Sequence, residues 1–153
     1  MAEAGGFVNR LTFFLVALVI LAGDQLSKWW ISSHLLLGES LPPGGPFRLT
    51  YVTNTGSAFG LFANQTFLLI LVGIMGMGVI FIMFRYSLRG EVWLLVSLGL
   101  QMGGAVGNLV DRIRLGYVVD FLDFRFWPAF NVADSAIVVG VGLLSLLLFL
   151  RKG

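Results

Sequence analysis

Four stretches of the chain lack charge, and their lengths set the architecture. No Asp, Glu, Lys or Arg falls between Arg10 and Asp24, Arg48 and Arg85, Glu91 and Asp111, or Asp134 and Arg151. A bilayer core about 30 Å thick takes about 20 helical residues to cross. Leu11 to Ile31, Thr66 to Phe84, Val92 to Val110 and Val132 to Leu150 therefore read as transmembrane helices. Asp24-Gln25-Leu26-Ser27-Lys28 closes the first span and is not a small-residue cleavage site, so no removable presequence is expected.

The connections are unequal. The internal link, Arg85 to Glu91, is a short polar turn. The first external link runs from Ser32 to Gln65 and holds Pro42-Pro43-Gly44-Gly45-Pro46, a turn cluster. The following Phe47 to Thr53 alternates and is rich in β-branched and aromatic residues, which predicts a strand with Phe47, Leu49 and Tyr51 on one face. A small β-rich cradle over Phe47 to Phe62, at the membrane surface, follows. Its exposed edge could bind peptide. The second external link, Asp111 to Asn131, holds Phe121, Phe124, Phe126, Trp127 and Phe130, aromatics suited to the headgroup level. The fold expected is an all-α membrane protein of four spans with a small β element, in a single domain over 1–153.

Composition agrees. Of 153 residues, 58% are hydrophobic and 12% charged, too few charges to cover a soluble surface. The net charge of +2 is small and dispersed, which argues against nucleic acid. Arg10, Arg85, Arg89, Arg151 and Lys152 fall on one side; Lys28, Arg48, Arg112, Arg114 and Arg125 fall on the other. Setting aside Lys28 and Arg112, which neighbour acids, the bias favours cytoplasmic termini.

The chain has no cysteine and one histidine. Thiolate chemistry, disulfides and multi-histidine metal sites are excluded. His34 reads as a loop residue, and no Gly-x-Ser-x-Gly elbow is present. Ser27 and Lys28 are adjacent and diverge by about 100° on a helix, unsuited to a Ser-Lys dyad.

Acids in spans are costly and become functional candidates. Asp24 and Lys28 share a helix face, more readily as a structural pair than as a catalyst. Gln101, Asn108 and Asp111 share another face, and Asp134 follows Asn131 by three. Plainer readings pair Asp111 with Arg112 at a helix end and Asp123 with Arg125. Gly99, Gly103 and Gly107 form a packing stripe, as do Gly73 and Gly76. Two carboxylates held close cannot both ionise, so one could activate water while the other polarises an amide carbonyl.

Five motifs, in order, carry a resemblance. Asp24-Gln25-Leu26-Ser27-Lys28 is similar to D-Q-x-x-K. Asn54-Thr55-Gly56-Ser57-Ala58-Phe59 is similar to N-x-G-x-A-F. Gly103-Gly104-Ala105-Val106-Gly107-Asn108-Leu109-Val110-Asp111-Arg112 is similar to G-G-x-x-G-N-x-x-D-R. Val118-Val119-Asp120-Phe121 is similar to V-V-D-F, and Phe130-Asn131-Val132-Ala133-Asp134-Ser135 to F-N-x-A-D-S. Together they resemble the lipoprotein signal peptidases, also called signal peptidase II or prolipoprotein signal peptidases. The segment between Asp120 and Asp134 is short for that family.

The resemblance implies a membrane aspartic endopeptidase, a hydrolase without metal or cofactor. It would remove signal peptides from diacylglyceryl-cysteine prolipoproteins on the N-terminal side of the lipidated cysteine. It implies a catalytic pair, Asp120 and Asp134. Asn54, Gly56, Asn108, Arg112 and Asn131 would bind substrate, and Asp24, Lys28 and Asp111 would support the site. Membrane lipids and globomycin-type inhibitors are the implied partners. The expected setting is the bacterial cytoplasmic (inner) membrane, as a multi-pass monomer with its active site near the outer leaflet. A four-helix transporter would instead need a mid-membrane acid and minimal external links. An assembly subunit would explain the glycines but not the two external Asp motifs.

Overall fold

The computed structural model describes residues 2–56, 62, 64–87 and 91–151, with side chains from residue 10 onward. The rest of the β-rich region expected before Phe62, including Ser57-Ala58-Phe59, lies outside the described residues, as do Arg89 and Lys152.

Among the described residues, four helices are long and apolar enough to cross a membrane. They are α1 (Ala2–His34), α2 (Thr66–Tyr86), α3 (Val92–Leu115) and α4 (Val132–Leu150). Helix α3 runs five residues past Val110, until Gly116 takes a left-handed φ of 81° and its N–H caps Arg112 O. Helix α4 begins at Asn131 with a capping box: the Asn131 side chain accepts from Asp134 N, and the Asp134 side chain accepts from Asn131 N.

Helix α3 is the centre of the bundle. A Cβ on Gly99 would sit 2.8 Å from Phe13 O, and one on Gly103 2.6 Å from Ala17 O, so both glycines let α1 approach closely. Gly104 and Gly140 do the same between α3 and α4. Gly73 and Gly76 do not: neither has anything within 4 Å of its Cβ position, so the packing role expected of them fails among the described residues. Their helix, α2, buries only Phe84, which stacks on Phe13 at 4.3 Å between centroids.

Three strands, β1 (Ser40–Leu41), β2 (Arg48–Asn54) and β3 (Val118–Asp123), form an antiparallel sheet in the order β1-β2-β3. The strand β3 is not apparent in the sequence, because its apolar run is broken by two acids. It is buried on both sides. Val119 and Phe121 pack with Ile31 and Leu35 at the end of α1, while Val118 and Asp120 line a cavity. The β2–β3 register shifts by one residue between Leu49 and Val52. After the shift, Val52 opposes Asp120 and Asn54 opposes Val118, so these four share the cavity face. Leu49 and Tyr51 reach the core beneath. Phe47 does not join them; it precedes the strand and packs on Phe124, 5.0 Å away.

The outer edge of β3 is closed to a pairing peptide. Val119 N donates to Asp111 Oδ2 at 3.1 Å and Val119 O accepts from Asn131 Nδ2 at 3.3 Å. Phe121 N and Leu122 N both donate to Phe130 O.

Candidate active site

Asp120 and Asp134 arrive by different routes and face one cavity of about 960 Å3. Asp120 stands on β3, whose alternation turns it away from the core. Asp134 stands in the first turn of α4. Asn54, Gly56, Asn108, Arg112 and Ser135 also line the cavity, which continues past Ile137 and Val138 on the apolar flank of α4.

Three asparagines hold the carboxylates, and each has its own carbonyl occupied. Asn54 Oδ1 accepts from Gly56 N at 2.9 Å, leaving Nδ2 to donate to Asp120 Oδ2 at 3.0 Å. Asn131 Oδ1 accepts the Asp134 backbone N–H at 2.9 Å, leaving Nδ2 to donate to Asp120 Oδ1 at 2.7 Å. Asn108 Oδ1 accepts from Lys28 Nζ at 3.0 Å and Asn131 Nδ2 at 3.2 Å. Its Nδ2 then donates to Asp134 Oδ1 at 2.8 Å. A donor on each carbonyl decides which way the amide points, so the orientations are dictated rather than arbitrary.

Asp120 is 2% exposed. Burial, followed by the charge of Asp134, pushes its carboxyl up to about 7, against the opposing pull of the Asn54 and Asn131 amides and Lys28. A carboxylic acid that keeps its proton near neutrality, beside a second carboxyl, can donate while its neighbour accepts. Arg112 brings a guanidinium to the same cavity, where it donates to Gly56 O at 3.0 Å and so clasps the turn after β2.

Asp24, Lys28 and Asp111 sit behind this layer and do not line the cavity. Lys28 Nζ lies 2.8 Å from Asp24 Oδ2 and 3.0 Å from Asp111 Oδ2. Asp111 therefore pairs with Lys28 across the bundle rather than with its neighbour Arg112. Asp123 likewise pairs with Arg48 and accepts from Thr50 Oγ1, while Arg125 offers it only a backbone N–H. Against burial, that N–H, the Thr50 hydroxyl and Arg48 hold the Asp123 carboxyl below its usual range. Gln101 is not part of the site; it donates to Ser97 O and packs against Gly140. His34 lies away from the dyad, at the end of α1, where its ring stacks on Trp30, 4.7 Å away.

One contributor, Gln25, belongs to the first motif but not to the site residues expected from the sequence. Gln25 Nε2 donates to Asp111 Oδ1 at 3.0 Å and to Gly107 O at 3.2 Å, tying α1 to α3. A polar amide beside Asp24 in an apolar span is the available signal.

The sequence model of the family described as Signal peptidase (SPase) II matches residues 16–150. The chain is 50% identical over 144 residues to the lipoprotein signal peptidase of Moorella thermoacetica, covering 94% of this chain and 96% of that one. It is 43% identical over 140 residues to the lipoprotein signal peptidase of Halothermothrix orenii, covering 91% and 96%. It also matches a solved bacterial membrane enzyme with a TM-score of 0.88 at 27% identity, over 93% of this chain and 90% of the other. Sequence and four-helix frame thus match over nearly the whole length, and the chain belongs to the signal peptidase II family.

Proposed function

We propose that this multi-pass membrane aspartic peptidase removes the signal peptide from diacylglyceryl-cysteine prolipoproteins. Cleavage falls on the N-terminal side of the lipidated cysteine. The observation that carries the reading is the pair Asp120 and Asp134, facing one cavity and bridged by the Asn108–Asn131 amides.

The pair holds one proton, and the burial of Asp120 favours that residue as its carrier. The ionised partner takes a proton from water as its oxygen attacks the scissile carbonyl carbon. The protonated partner gives its proton to the carbonyl oxygen. The resulting gem-diol collapses: the C–N bond breaks, the amine of the lipidated cysteine receives a proton, and the signal peptide leaves as a carboxylate. Asn54, Gly56, Asn108 and Arg112 line the cavity where the peptide backbone would pass, whereas Asn131 is fully buried and acts on the substrate only through the Asp120 carboxylate it holds. The apolar continuation along Ile137 and Val138 suits the lipid.

The orientation proposed rests on charge. Arg10, Arg85 and Arg151 lie toward the ends of the helices opposite the sheet, where Arg151 pairs with Glu91. This supports cytoplasmic termini and a site near the outer leaflet of the bacterial inner membrane. The reading takes the protein as a monomer acting as a single domain among membrane lipids. No cofactor takes part in the reaction.

The test is to incubate detergent-solubilised protein with a prolipoprotein in lipidated and unlipidated forms. A mobility shift confined to the lipidated form, and blocked by globomycin, supports the reading. Equal cleavage of both forms removes lipid recognition from it, and no cleavage of either removes the function.

A further inference from the structure

Asp24, Lys28 and Asp111 are 0%, 3% and 4% exposed, yet none of them lines the cavity. Contact with substrate therefore does not explain why three charges are kept inside an apolar bundle, where each is costly.

Their contacts show a correspondence between the two halves of the dyad. Asp24 Oδ1 accepts the backbone N–H of Ala133 at 2.9 Å, and Ala133 directly precedes Asp134. Asp111 Oδ2 accepts the backbone N–H of Val119 at 3.1 Å, and Val119 directly precedes Asp120. Each reactive aspartate is thus held at the peptide before it by a buried carboxylate from another element. Lys28 joins those two carboxylates, at 2.8 Å from Asp24 and 3.0 Å from Asp111. Its third contact, 3.0 Å, is to Asn108 Oδ1, on the amide that donates to Asp134. An ammonium has three hydrogens to give, and here all three have acceptors.

We infer that Lys28 is a positioning residue which, through Asp24, Asp111 and Asn108, sets the separation and aim of the Asp120 and Asp134 carboxylates. The inference rests on the two-aspartate reading above. An ion pair that served stability alone would need only to neutralise charge between α1 and α3. This one instead grips the backbone immediately before each reactive residue and orients the amide that holds one of them. Two carboxylates that share a water tolerate about 0.5 Å of error, and a displacement of about 1 Å can cost about 100-fold in rate.

The test is the steady-state cleavage of a diacylglyceryl-modified prolipoprotein by native protein and by the charge-balanced double variant K28M/D24N. The asparagine that replaces Asp24 still accepts the Ala133 N–H, the methionine that replaces Lys28 keeps most of the volume, and the net charge is unchanged. The expected result is a fall in kcat of about 100-fold, with KM within about threefold of native and the folded fraction preserved. K28R, which keeps the charge but presents a planar fork in place of a three-way donor, should lose kcat in the same way. It serves if the double variant does not assemble. A folded variant of either kind with native kcat overturns the inference, as does a loss of activity that merely follows the loss of folded protein. Native protein that leaves the substrate uncut overturns the peptidase reading itself, whereas native cleavage matched by the variants overturns only the role of Lys28.

Discussion

Asn131 donates to Asp120 at 2.7 Å from the N-cap of the helix whose first turn carries Asp134. One side chain therefore caps the helix that carries Asp134 and holds the Asp120 carboxylate. These roles depend on different atoms. The cap uses Oδ1, and the link uses Nδ2.

Asn131→Ser and Asn131→Ala separate the two roles. Serine keeps a capping oxygen and loses the amide donor; alanine loses both. Both should reduce kcat strongly, whereas the alanine variant should be less stable than the serine variant by about 1 kcal/mol, the usual worth of an N-cap. Thermal unfolding beside initial rates checks this. Equal stability of the two variants would show that the cap contributes nothing.

The glycines should divide by contact. A Cβ on Gly104 would meet Ala133 O and stand 2.8 Å from Ile137 Cγ1, at the seam that places Asp134. Gly104→Ala should cost about 1–3 kcal/mol by overpacking and lower activity with it. Gly76 has open space around it, so Gly76→Ala should leave activity unchanged and the Tm equal or slightly higher. Melting curves in one detergent compare the two directly.

Stability should also depend on pH through Asp120. Its folded pKa of about 7 lies above the ordinary value. The native state therefore binds the proton more tightly than the unfolded chain does. The stability from this group is fully present below about pH 4 and is lost as pH rises through about 7, by an amount on the order of 4 kcal/mol at most. Asp120→Asn has no such proton to lose. Its Tm should gain on that of the native protein between about pH 4 and 7 and stay level above that. A constant difference across that range would mean that Asp120 is not held protonated.

Much of this is legible in the chain because the bilayer imposes lengths. The continuous apolar run from Thr66 to Phe84 marks α2, and the charge gap between Glu91 and Asp111 marks the start of α3 and most of its length. Asp24 and Lys28 can be placed on one face from their spacing alone. What stays hidden depends on pairing between distant segments. Strand β3 is recognisable only beside β2, which lies two helices earlier, and its buried aspartates contradict a simple alternation. Sequence proximity points to the wrong partners for Asp111 and Asp123. In the fold, Lys28 and Arg48 reach them from other elements. Gly73 and Gly76 look like Gly99 and Gly103, but nothing in the sequence of α2 says that it lies at the edge of the bundle.

The dyad itself is tested most directly by the pH dependence of kcat/KM, which reports the free enzyme, for native protein, Asp120→Asn and Asp134→Asn, each shown to be folded by its helical circular dichroism. The substrate is a diacylglyceryl-modified prolipoprotein. Native protein should give a bell-shaped profile whose falling limb lies near the carboxyl raised to about 7, a value that belongs to the coupled pair. Each asparagine variant should lose about 1,000-fold or more at every pH, because the amide fills the space but cannot exchange the proton. A folded variant of either aspartate that cleaves at a rate close to native would contradict the two-aspartate account.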